Sequence, residues 1–267
     1  MLSARAPLED LAAAVRQGTS TSTVEHRPWP LPPRSWLMGQ SWLDLLFAHW
    51  RVDAEQLRRV VPPGLELETI DGSAWIGVTP FEVRALRLRL TVPAPYVSIF
   101  PELNVRTYVT VDGKPGIYFL SLDAGSRLAV VTARRSYRFP YFHARMSVRR
   151  DGEAIHYDSE RLPGSGPPAR FEASYTPRGK PFVGVPGSLE WKLTERYCAY
   201  TLDEKGRTLR AEIHHRPWEL REAEAEIAEN TMTAPFGIEL EGEPLLHLAR
   251  PQDVIVWPHE IANGAGG

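Results

Sequence analysis

Along most of the chain, polar and apolar residues alternate with period two, the spacing of strands with one buried face, and clusters of Gly, Pro, Asp and Asn punctuate the runs. The clearest stretch is 100–146. Two alternating runs, Glu102 to Val111 and Ile117 to Leu122, flank Asp112-Gly113-Lys114-Pro115-Gly116 and predict a hairpin. Ser126 then caps a helix with Leu128 and Val131 on its apolar face, Pro140 ends it, and the chain returns as a strand from Phe142 to Arg149.

Before this stretch, residues 4–17 predict a short amphipathic helix carrying Leu8, Leu11 and Val15, and a Ser/Thr run leads into the Pro-rich HRPWPLPPRS. Residues 1–35 therefore read as an N-terminal extension and residues 36–267 as a single domain. Ser41 to Val52 predicts a strand, with a helix as the alternative. Asp53 caps a helix through Val61, and Asp71-Gly72 joins Leu65–Ile70 to Ser73–Phe81 in a second hairpin. Arg84 to Leu90 adds a strand with one wet face. Further on, Asp151-Gly152 marks a hairpin, Phe171–Tyr175 and Thr208–His214 are strands, and 187–200 begins as a helical turn and ends as a strand. Glu219 to Asn230, rich in Ala and Glu, predicts a solvated helix, and Leu245–Leu248 with Val254–Trp257 closes the chain. About a dozen strands with few helices imply an α+β fold, mainly antiparallel β, as a barrel or a β/α sandwich.

On the strand after Phe100, Glu102, Asn104, Arg106 and Tyr108 share one face, and Leu103, Val105, Thr107 and Val109 share the other. In an open sheet the polar row would face water. In a closed one it would line a cavity, where a carboxylate, an amide and a guanidinium supply an acid/base, an orienting donor and an anion clamp.

Composition narrows the function classes. Apolar residues make up 43% of the 267 and aromatics 10%, enough for a large core. A net charge of −2 argues against a general nucleic-acid binder, and no apolar run approaches the roughly 20 residues that span a bilayer. The single cysteine, Cys198, rules out an internal disulfide and suits a cytoplasmic protein. Phosphate loops, HExxH, GxSxG and zinc spacings are all missing, so no metal or organic cofactor is expected. His214 and His215 point to opposite sides of a strand and make a poor shared metal site. Glu195-Arg196 reads as an internal ion pair. Of four lysines only Lys192 lies in an ordered-looking apolar stretch, where a surface role competes with that of a buried nucleophile.

The runs DLLFAHWRVDAEQLRRVVPPGLELETIDGSAWIGVTPF, PELNVRTYV, GKPGIYFLSLDA, FPYFHARM, LTERYCAYT and HHRPWEL together resemble the YqjF-like family, a domain of unknown function, over residues 36–257. That family is distantly similar to the acetoacetate decarboxylase-like superfamily. This second resemblance implies a β-barrel with a few peripheral helices and a polar internal cavity. In those decarboxylases a lysine forms an imine with a β-keto acid, a second lysine lowers its pKa, and a glutamate lies nearby. Here Tyr141 and Phe142, in Arg138-Phe139-Pro140-Tyr141-Phe142, stand where the lysines would be, while Glu102 matches the acidic residue. The resemblance thus keeps the carboxylate and loses the amine, unless Lys192 reaches the cavity from elsewhere.

Two functions follow as expectations. One is an enzyme of the lyase, hydratase or aldol type, working without an imine on a small carboxylate or oxo acid. Glu102, Arg106 and Tyr141 would be catalytic, and Asn104, Tyr108, Arg134, Arg135 and His143 would bind substrate. The other is a protein that holds a small metabolite in the same cavity without turning it over. Neither involves nucleic acid or membrane, and exposed edges leave room for a homo-oligomer.

Overall fold

The computed structural model describes residues 6–94 and 98–262. Its helices are α1 (Ala6–Thr19), α2 (Ala54–Arg58), α3 (Arg127–Tyr137) and α4 (Leu189–Thr194). The strands begin with β1 (Met38–Leu43), β2 (Leu46–Val52), β3 (Glu66–Leu67), β4 (Ala74–Leu88), β5 (Phe100–Val111), β6 (Lys114–Ala124), β7 (Tyr141–Asp151) and β8 (Ala154–Arg161). They continue with β9 (Arg170–Val183), β10 (Cys198–Leu202), β11 (Thr208–His214), β12 (Glu219–Asn230), β13 (Leu245–Ala249), β14 (Gln252–Val256) and β15 (Glu260–Ile261). Ser126 and Asp53 cap their helices as expected: Ser126 Oγ accepts from the Ala129 N–H at 3.3 Å and Asp53 Oδ1 from the Glu55 N–H at 3.0 Å.

The strands form one mixed sheet that closes on itself. Pairings β4–β1–β14–β11–β10–β6–β5–β4 make one ring, and β6–β7–β8–β9–β12–β13–β2–β4–β5–β6 make another. The contacts β6–β10 and β6–β7 are parallel, and the other pairs are antiparallel. Strands β4, β5 and β6 belong to both rings and form a wall between two interiors. On one side lies a core containing Phe100, Phe119, Leu122, Ile213 and Val256, and on the other a core containing Leu103, Val105, Tyr157 and Phe171.

This double closure decides where the polar row of β5 goes. Leu103 and Val105 are fully buried against the second core, yet the opposite face is also covered: Glu102 is 6% exposed, Asn104 and Arg106 are 5%, and Tyr108 is 0%. The row is interior.

Three local expectations change. Glu219–Asn230 is the strand β12, not a helix. Ala and Glu favour helices, but the period here is two: Glu222, Glu224 and Glu226 are exposed, while Ala223, Ala225 and Ile227 pack on the second core, so pairing with β9 overrides propensity. Ser41–Val52 is two strands, broken at Asp44 with φ +54. The separate strands expected at Ser73–Phe81 and Arg84–Leu90 are one, β4, with an irregularity opposite Gly39–Ser41 and φ +49 at Ala85.

The N-terminal segment packs on the body. Arg27 Nη2 bonds Glu212 Oε2 at 2.9 Å in a buried pair, Arg87 Nε donates to Gln17 Oε1 at 2.7 Å, and His214 Nε2 lies 3.0 Å from the Ser20 carbonyl. Among the described residues no helix is long and apolar enough to cross a membrane.

A second buried ion pair ties β6 to β8: Arg161 grips Asp123 with bonds of 2.9 and 2.7 Å, and both side chains are 0% exposed. Removing one partner leaves the other charge buried, which costs about 3–5 kcal/mol, whereas an apolar pair of similar size is tolerated. Urea unfolding of Asp123→Ala should show a loss of about that size, and Asp123→Leu with Arg161→Met should recover most of it. Equal losses in the single and double variants would mean the charges are not coupled.

Candidate functional site

A cavity of about 160 Å³ lies inside the first ring, walled by β1, β4, β5, β6, β11 and α3. Its walls are largely apolar, with Phe100, Phe119, Leu122, Phe139, Ile213 and Val256 among them, and exposed Leu88, Thr132 and Ser136 stand at its rim. Local chain geometry supplies the aromatic side. Helix α3 stops at Arg138, whose φ of +54 is left-handed, and the Leu122 N–H then donates to the Pro140 carbonyl at 3.0 Å. That turn brings Tyr137, Phe139 and Tyr141 onto the cavity together.

Glu102 is the sole ionisable carboxyl lining it, and no arginine or lysine does so among the described residues. Burial pushes the Glu102 carboxyl up to about 8, partly opposed by hydrogen bonds from Tyr141 and Asn104. The Tyr141 hydroxyl lies 3.3 and 3.4 Å from the two carboxyl oxygens, and burial beside Glu102 raises its own pKa well above the usual phenol value. The Glu102 backbone is held by Tyr157, whose hydroxyl donates to its carbonyl at 2.8 Å. Three further polar atoms of lining residues are buried without a partner: Trp42 Nε1, Asn104 Oδ1 and the Tyr137 hydroxyl.

Of the residues singled out from sequence, Glu102, Asn104 and Tyr141 come together here. Arg106 and Tyr108 share their face but do not line the cavity. Tyr108 donates to the Leu193 carbonyl at 2.8 Å and lies 2.6 Å from His49 Nε2, while Arg106 reaches the same carbonyl at 3.2 Å and stacks 5.1 Å over Phe47. Burial first, and Arg106 second, hold His49 well below its ordinary pKa. Trp42, which lines the cavity, stacks on Trp218 at 5.9 Å, and Trp218 meets Phe47, the ring under Arg106, edge-on at 5.5 Å. Arg134 is exposed and donates to the Tyr141 and Ser165 carbonyls, Arg135 is exposed, and His143 lies outside the lining with its backbone N–H on Ser165 Oγ.

Other candidates resolve as structural. Lys192 Nζ sits 3.3 Å from Asp71 Oδ1 at the surface and does not reach the cavity. Burial lowers His214 and His215 to about 4, and no group of three or more metal-ligating side chains occurs among the described residues. Glu195 and Arg196 do not pair with each other: Glu195 accepts from Tyr197 and from the Trp218 N–H, whereas Arg196 grips Glu68 at 2.6 and 3.1 Å. Gln40, Trp42 and Tyr137 line the site without having been singled out. The alternation of Met38, Gln40 and Trp42 on one strand was the available signal for two of them. Nothing local marked Tyr137.

The raised pKa of Glu102 makes stability depend on pH. A group whose pKa is higher in the folded state favours folding fully below its unfolded value, and that contribution disappears as pH rises through the folded value. For Glu102 the window runs from its ordinary 4.5 to about 8. Glu102→Gln keeps the shape without a titrating proton, so between pH 5 and pH 8.5 it should gain more than ~1 kcal/mol on wild type in urea unfolding. A difference that stays constant with pH would show that Glu102 is not held neutral.

Comparison with known proteins places this geometry in a family. The chain is 48% identical over 239 residues to the uncharacterized protein YqjF of Bacillus subtilis (strain 168), covering 89% of this chain and 98% of that one. Its fold is similar to that of the enduracididine biosynthesis enzyme MppR complexed with pyruvate, with a TM-score of 0.61 and 13% identity over 91% of this chain and 95% of that one. It is also similar to acetoacetate decarboxylase, with a TM-score of 0.57 and 13% identity over 91% and 96% of the two chains. At such identities the likeness is one of fold. Residues 39–253 match the DUF2071 profile, and the chain belongs to that family of uncharacterized conserved proteins.

Proposed function

We propose that the protein is an enzyme that moves a proton on a small oxo compound, of the lyase, hydratase or aldol type, with Glu102 as the proton donor and acceptor. The ring around the cavity serves as the barrel that holds the substrate. One observation carries this reading: a buried carboxyl, without an ion pair among the described residues, faces an apolar cavity and has its pKa pushed to about 8. Such a group is mostly protonated at neutral pH yet close enough to release its proton, the condition under which one residue serves as acid and then as base. Tyr141 is placed to steady it.

Among the described residues no lysine lines the cavity, and Lys192 is engaged with Asp71, so the site offers no amine for an imine route. Aldol and hydration chemistry need only a positioned acid/base and donors for a developing oxyanion. The fold neighbours lend weight, one being complexed with pyruvate and the other named for acetoacetate decarboxylation. A second reading, a binding protein without turnover, draws on the predominantly apolar walls.

Exchange of α-hydrogens separates the two. Small ketones incubated in deuterated water with wild type should lose their α-proton NMR signals, and Glu102→Gln should slow that loss at least about 100-fold. The wild-type rate should bend near pH 8. Saturable binding with no exchange above the Glu102→Gln level would leave the binding protein as the correct reading.

A further inference from the structure

A helix on the surface of a globular protein turns its apolar stripe to the body, and α1 does the opposite. Its inner face carries Ala13 and Gln17, both buried, and Gln17 is pressed so close to Gly39 that a Cβ there would lie 2.5 Å from Gln17 Oε1. Leu8, Leu11 and Val15, which share the outer stripe with Ala12, are 70, 48 and 66% exposed. The helix is not free to roll. Gln17 Nε2 donates to the Ala85 carbonyl at 3.3 Å, Arg87 donates to Gln17 Oε1 and to the Ala14 carbonyl, both at 2.7 Å, and Arg16 Nε meets Asp253 Oδ2 at 2.6 Å.

Arg87 also fastens a second apolar element beside the helix. Its Nη1 donates to the Thr91 carbonyl at 3.3 Å, in the turn that follows β4, and that turn exposes Leu88, Leu90 and Val92. Leu90 is 89% exposed and held at φ +71, a left-handed conformation that leucine disfavours, while the Thr91 N–H donates to the Leu88 carbonyl at 3.1 Å. A leucine shown to solvent at a conformational cost marks a contact surface. One face of a 14-residue helix falls short of the roughly 1,000 Å² that a stable interface buries, so the turn at 88–92 is needed as well.

Charge selects the occupant. Glu9 and Arg16 lie seven residues apart, so they flank the stripe on the same side and at opposite ends. A parallel copy would set like charges against each other. An antiparallel copy related by a two-fold axis sets Glu9 beside the partner's Arg16 in both directions, and Leu8 beside the partner's Val15. Arg16 stays exposed despite its bond to Asp253. An anionic bilayer fits less well, because α1 carries Glu9 and Asp10 against a single basic residue, Arg16.

We propose that the outward face of α1 and the turn at 88–92 form a homodimer interface, in which two copies of α1 pack antiparallel about a two-fold axis. The interface is independent of the chemistry proposed for the cavity.

Sedimentation velocity of the full chain between about 1 and 100 µM should show a monomer–dimer equilibrium. Leu11→Asp and Leu90→Asp, both at exposed positions, should each weaken it at least about 30-fold, because a two-fold axis counts every substitution twice, and should leave the circular dichroism melt of the dilute monomer unchanged. Oxidation of Leu8→Cys mixed with Val15→Cys should give a linked pair, and neither variant should link to itself; Cys198 is buried and takes no part. A wild type that stays monomeric at about 100 µM, a dimer that both aspartate variants leave intact, or self-linking of Leu8→Cys in place of the mixed pair would overturn the proposal. A monomer that co-sediments with phosphatidylglycerol vesicles would assign the face to a membrane and overturn it equally.

Discussion

Because β5 is hydrogen-bonded to β4 on one edge and β6 on the other, and all three strands belong to both closed rings, both faces of β5 are buried from Glu102 to Val109. A strand with two buried faces ordinarily reads as a continuous apolar run. This one does not. Glu102, Asn104, Arg106 and Tyr108 occupy a buried face, and each must find partners in the protein or in a ligand. The molecule answers in two ways along one strand. Toward one end Arg106 and Tyr108 are tied to His49 and the Leu193 carbonyl. Toward the other Glu102 and Asn104 open on a cavity, and part of their bonding capacity stays unspent.

The chemistry follows from that division. A carboxyl largely kept from water, with no cation beside it among the described residues, becomes a weak acid, and burial, the dominant cause, moves Glu102 up to about 8. Had Arg106 turned toward it, the same carboxyl would be ionised and the cavity would suit an anion. Arg106 is instead engaged with the Leu193 carbonyl and the Phe47 ring, while Trp42 forms part of the cavity wall and stacks on Trp218.

Much of the fold was legible because period-two alternation and turn residues are local signals. The 102–122 hairpin and the Ser126 cap hold, and the helix ends before Pro140, at Tyr137, through a left-handed Arg138. The same alternation lay in Glu219–Asn230, but a composition of helix formers hid it, and only pairing with β9 resolves it. The site was partly legible. That Glu102 and Asn104 share a face is a property of any strand, whereas the partners of Arg106, the Leu193 carbonyl and Phe47, come from segments distant in sequence. Whether the row would be wet or buried depended on ring closure, through pairings such as β1–β4 and β6–β10 that no local pattern encodes. Tyr137 enters through the left-handed turn at Arg138, a residue with no special preference for that conformation.

The site depends on Glu102 being protonated in the interior at neutral pH. Its most direct test is the carbon-13 NMR titration of the side-chain carboxyl carbon in uniformly glutamate-labelled protein, with the resonance assigned by its absence in Glu102→Gln. A midpoint near 8 is the predicted result. A midpoint near the ordinary 4.5 would mean that water or a cation reaches the carboxylate and that Glu102 is not the neutral acid of the cavity.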